Sequence, residues 1–114
     1  RLDNASLLEK AGVKILIASH ETHNSYLSRQ AAGIAVSYGL PWDVALKSLT
    51  SNVAEVFGLK KIGMIEIGYK ADLIIWGKDP LEISAFAEQI YISGKLMSNE
   101  SRSTRLRARY LNLD

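Results

Sequence analysis

The residues best suited to chemistry lie between positions 20 and 25, where HETHNS holds both histidines of the chain, with Glu21 between them and Asn24 after them. A neutral imidazole is a good zinc ligand and a base near neutral pH. The competing reading makes His20, Glu21 and His23 polar residues of a loop. Asp72 stands alone before an apolar run, which invites a catalytic role, against the alternative of a carboxylate that fixes a turn. At the end of the chain Arg102, Arg105, Arg107 and Arg109 face only Glu100 and Asp114. They suit nucleic acid, an acidic membrane surface, or the solvated face of a docked helix. Four cations beside an apolar stripe favour the docked helix. The net charge of +2 is too small to argue for nucleic acid. Cysteine is absent, which removes disulfides, thiolate catalysis and cysteine-ligated zinc and leaves the redox compartment open. Nothing matches a phosphate loop, and Gly33 and Gly39 fall within helical patterns. Trp42 and Trp76 read as core anchors rather than ligand stackers.

The elements that must position these groups follow from periodicity. Asp3 or Asn4 can cap a helix over residues 5–10, with Gly12 at its stop. Residues 13–19, VKILIAS, are nearly all apolar without alternation, which suits a strand buried on both faces. From Tyr26 to Tyr38 apolar residues recur at helical spacing, and Gly39 marks the end. Pro41 suits the first position of the next helix, whose face carries Trp42, Ala45, Leu46 and Leu49. Asn52 with Glu55 reads as a capping pair for a third short helix over residues 53–57, closed by Gly58. Residues 65–67 and 71–76 read as strand, tight turn and strand. A further strand around Ile90 and Ile92 turns through Gly94-Lys95 into Leu96-Met97. Leu106, Tyr110 and Leu113 return to helical spacing, with Arg102, Arg105 and Arg109 on another face.

The 114 residues, 47% of them hydrophobic, are enough for one modest core. No apolar run approaches the roughly 18 residues that span a bilayer. No targeting leader is visible, so cytoplasmic residence is the default, with export of a longer parent left open. A lone buried strand cannot make a sheet, so its neighbours must come from upstream sequence or another copy of the chain. The chain is therefore expected to be a fragment.

The run AAGIAVSYGLPWDVALKSLTSNVAEVFGLKKIGMIEIGYKADLIIWGKDPLE resembles the closing stretch of the amidohydrolase superfamily. The matching elements are Gly39-Leu40, Ala45-Leu46, Thr50-Asn52-Ala54-Gly58-Leu59, Gly63-Ile65-Gly68-Ala71-Asp72-Leu73 and Asp79-Pro80-Leu81. Each is weak alone; their order and spacing together are specific. The ending SRSTRLRARYL resembles that of a bacterial subgroup related to imidazolonepropionases.

The resemblance implies an α/β fold: the C-terminal piece of a (β/α)8 barrel, its last strand and helices, plus part of a small β-sandwich. Residues 1–58 would end the barrel, 59–98 would supply sandwich strands, and 99–114 would form a terminal amphipathic helix; Asp72, in the sandwich and away from the metals, would fix a turn. It also implies a hydrolase acting on C–N bonds of a cyclic amide or amidine through a water activated by a divalent metal, zinc by expectation. Aligning VKILIAS with the last strand puts the family's metal-binding and proton-accepting Asp at His20. That makes His20 the catalytic and metal candidate, with His23 and Asn24 as substrate-binding candidates. His20 carries no negative charge, so a non-catalytic member with a binding or structural role is the alternative. The remaining ligands would lie upstream, so the isolated chain is expected to be inactive and to hold no metal. The expected partners are a small-molecule substrate and further copies of the chain in a homo-oligomer, with no nucleic acid and no membrane.

Overall fold

A computed structural model describes residues 2–18 and 27–97. Four helices precede a small sheet: α1 (Asn4–Lys10), α2 (Leu27–Ser37), α3 (Trp42–Leu49), α4 (Ser51–Val56), then β1 (Leu73–Trp76), β2 (Ala87–Ile92) and β3 (Lys95–Met97). The result is a mixed α/β unit.

The helices end where the glycines predict. After α2 the Leu40 N–H reaches the Ala35 carbonyl at 3.0 Å and the Gly39 N–H reaches Val36 at 3.0 Å. After α4, Leu59 bonds to Ala54 at 2.8 Å and Gly58 to Glu55 at 3.2 Å. Both are Schellman closures, which need a left-handed residue, and Gly39 (φ 106°) and Gly58 (φ 68°) supply it. α1 closes in the same way through Gly12. Leu40, folded back by its closure, is almost fully buried.

The starts of the helices differ from expectation. Pro41 is the N-cap of α3, extended at ψ 140°, rather than its first helical residue. Asn52 and Glu55 cap nothing: α4 starts two residues earlier than expected, at Ser51, and both side chains turn to residues 14 and 15.

The core is built from Ile15, Ala32, Ala35, Leu40, Ala45 and Leu81, with Ala5, Ile17, Val36, Val44 and Leu49 packed against it. Small residues on α2 and α3 let these two helices lie close together. Neither tryptophan is a core anchor: Trp42 is 42% exposed and Trp76 half-buried.

The sheet is an antiparallel meander in the order β1-β2-β3. Leu73 faces Tyr91, and the register slips between Ile75 and Trp76, where Glu88 is the extra residue of β2. Ile92 pairs with Lys95, so the hairpin turn is Ser93-Gly94, one residue earlier than expected. Both turn residues have positive φ, 51° and 80°, as a type I′ turn requires. The strand expected at 65–67 is not formed.

Candidate functional site

Residues 13–18, the lead-in to His20, are neither helical nor paired into a sheet among the described residues. Ile15 is buried and Ile17 half-buried against the helices, while Val13 stays exposed. The Ile17 N–H reaches the Ser48 carbonyl at 3.3 Å, and the Asn52 Nδ2 amide donates to the Ile15 carbonyl at 3.1 Å. The Ser48 hydroxyl, fully buried, donates back to Ala45. Lys14 pairs with Glu55, one helical turn from Asn52, but both side chains are well exposed and the pair contributes at most about 1 kcal/mol. Asn52 therefore does for this segment part of what a neighbouring strand would do.

His20, Glu21, His23 and Asn24 lie outside the described residues, as do the four arginines of the C-terminal segment. Among the described residues no three His, Cys, Asp or Glu side chains gather to hold a metal ion, so a ligand set is not assembled there. No helix among them is long and apolar enough to cross a membrane.

Asp72 is a turn-fixing residue in the geometry. Its Oδ1 accepts the Ser93 N–H at 2.8 Å, and the Gly94 N–H is held by the Ala71 carbonyl at 3.0 Å. The start of β1 thus secures the β2–β3 turn. The Ser93 hydrogen bond, aided by Lys70 3.4 Å away, holds the Asp72 carboxyl below its ordinary value.

The Asp79-Pro80-Leu81 turn is the joint between helices and sheet. Arg29 of α2 donates to the carbonyls of Pro80 (2.8 Å) and Glu82 (2.7 Å) and lies over the Trp76 ring, 4.7 Å from its centroid. Asp79 accepts the Leu81 N–H at 2.9 Å and the Trp42 indole N–H at 2.9 and 3.0 Å from its two oxygens. The Leu81 carbonyl presses on α2 at Gly33, where any Cβ would collide with it. Sequence reading placed the turn but missed Arg29 and Gly33. The only available signal was the Asp-Pro-Leu motif, which does not name its partners.

The order of elements, the joint at Asp79-Pro80-Leu81 and the apolar segment that precedes His20 in sequence define a mixed α/β unit with a small antiparallel sheet. The amidohydrolase family profile matches residues 2–97, and the chain belongs to that family. An amidohydrolase from Thermotoga maritima MSB8 superposes with a TM-score of 0.78 at 32% identity, covering 87% of this chain and 26% of that one. The amidohydrolase tasK of Hapsidospora irregularis is 40% identical over 58 residues, 50% of this chain and 6% of the relative. The adenine deaminase of Bdellovibrio bacteriovorus is 32% identical over 80 residues, 70% of this chain and 13% of the relative. The chain thus spans a small part of the proteins it matches. Members of the family generally bind a divalent metal.

Proposed function

We propose that the chain is the C-terminal part of a metal-dependent amidohydrolase that cleaves non-peptide C–N bonds of a cyclic amide or amidine. The observation that carries this is the family match over residues 2–97, joined to an apolar segment, residues 13–18, that precedes His20 in sequence and pairs with no strand among the described residues. In this reading that segment is the last strand of a (β/α)8 barrel, the helices cover it, and the meander belongs to a sandwich completed by upstream residues. An adenine deaminase among the relatives supports an amidine carbon as the reacting centre. The bound metal would supply the activated water, and its other ligands would come from outside this chain.

His20 is the residue of this chain assigned to the active site, where the family has an Asp. As a neutral imidazole it can ligate the metal or take a proton. His23 and Asn24 then face the substrate. The loss of the carboxylate specifically favours a second reading, in which the protein keeps the fold and a binding role without turnover.

The test uses the gene product extended upstream of Arg1. Its metal content is measured, and turnover is followed as ammonia release from a panel of aminopurines and as ring opening of a panel of cyclic amides. Stoichiometric metal with turnover, reduced about 100-fold or more by His20→Ala, is the expected result. Metal-free protein with no turnover would establish the non-catalytic reading. The 114-residue chain is expected to show no turnover with added zinc; activity from it would overturn the proposal.

A further inference from the structure

A groove of about 510 Å³ runs between α2 and the turn that follows Asp79. Its apolar lining includes Ile34, Trp42, Leu81 and Ile83, and its only charged lining residues are acidic, Asp79 and Glu82. Ile34, Trp42 and Ile83 are exposed, an arrangement that leaves apolar surface in want of cover. The direction of the chain indicates what covers it. β3 runs antiparallel to β2, with Met97 opposite Ile90, so the chain leaving Met97 heads toward Ala87. Ala87 lies three residues beyond Ser84, the last residue of the segment that walls the groove, and about 10 Å from Ile90 along the strand.

The sequence beyond Met97 has complementary chemistry. Leu106, Tyr110 and Leu113 fall on one stripe of a helix, and Arg102, Arg105 and Arg109 flank that stripe about 40° to 100° to one side. We propose that residues 102–113 dock as an amphipathic helix in this groove, with the Leu106-Tyr110-Leu113 stripe on its apolar lining and the arginines along the Asp79–Glu82 rim. The proposal stands apart from the enzymatic reading, since neither the groove nor the helix includes His20.

The test is hydrogen exchange on the 114-residue chain and on Ile83→Asp, a change at a position 68% exposed and outside the core. Amides of 103–113 are expected to exchange at least tenfold more slowly than an unstructured peptide. Ile83→Asp is expected to remove that protection while α2 and β2 keep theirs. A terminal segment without protection, or with protection indifferent to Ile83→Asp, would overturn the proposal. The chain has no cysteine of its own, so the double variant Ile83→Cys, Leu106→Cys gives an independent readout if Ile83→Asp fails to fold. A disulfide within one molecule at low concentration supports docking. A disulfide only between molecules, or none, overturns it.

Discussion

Arg29 joins two parts of the chain that are far apart in sequence, and its three partners are all on the sheet side of the joint. Each bond from a charged donor contributes about 1.5–3 kcal/mol when sheltered, less for a half-exposed group. Arg29→Met is therefore expected to destabilise the fold by about 2 kcal/mol, read as a lower midpoint in urea. Gly33→Ala tests the same joint from the other side. Alanine would favour the helix by about 1 kcal/mol, but the collision with the Leu81 carbonyl outweighs this. The expected net change is a loss of about 1–3 kcal/mol, typical of forced overpacking. A neutral or stabilising Gly33→Ala would show that the turn does not sit on α2. Asp72 acts through charge. Its folded-state pKa is depressed from an ordinary value of 3.8, so the stabilisation it gives the hairpin is present above that value and lost as pH falls through the lower folded one. Exchange of the Ser93 amide should accelerate relative to other sheet amides in that acid window, and Asp72→Asn should abolish this local pH dependence. Asp72 was legible as a turn residue because the family resemblance put it in the sandwich, although the turn it holds lies 21 residues further on. Arg29 was not legible, since its partners lie 47 to 53 residues away.

At the scale of elements, the helices were legible because their stops are written in three or four residues. Gly12, Gly39 and Gly58 each close a helix by the same local bonds. The strands were less so. Residues 65–67 alternate as a strand should, yet Ile65 and Ile67 are nearly fully exposed, because pairing needs a second strand that the described residues do not offer. The hairpin turn was misplaced by one residue since Gly94 suits either position, and the Ile92–Lys95 pairing decides between them. Residues 13–18 show the same lesson in sharper form. Their apolar character was plain, but the device that holds them was misread: Asn52 looked like a helix cap and is a bond to the Ile15 carbonyl. Asn52→Ala is expected to cost about 1 kcal/mol, the usual worth of one such bond. It should also speed exchange of the Ile17 amide, because the segment then loses its hydrogen bond to α4. An Ile17 amide that exchanges at its original rate in Asn52→Ala would mean that packing alone fixes the segment.

At the scale of the molecule, the distribution of apolar side chains is inverted for a self-sufficient domain. Among the described residues only eight hydrophobic residues are buried and five of these are alanine, while Phe57, Ile65, Ile67, Ile83 and Phe86 are each more than two-thirds exposed. The exposed set is spread over several faces, so docking of one terminal helix cannot cover it all. Large apolar residues left in water drive association until they are covered. The 114-residue chain is therefore expected to self-associate, as a dimer or larger species by size-exclusion chromatography with light scattering at tens of micromolar. The same argument separates two causes. If the exposed faces are sites for upstream residues of one polypeptide, extending the chain upstream of Arg1 should lower both the number of chains per particle and the binding of a hydrophobic dye. If they are sites for a second copy, extension should leave a stable oligomer of fixed size. A clean monomer of the 114-residue chain at high concentration would contradict both, because it would require these isoleucines and phenylalanines to stay hydrated at no cost.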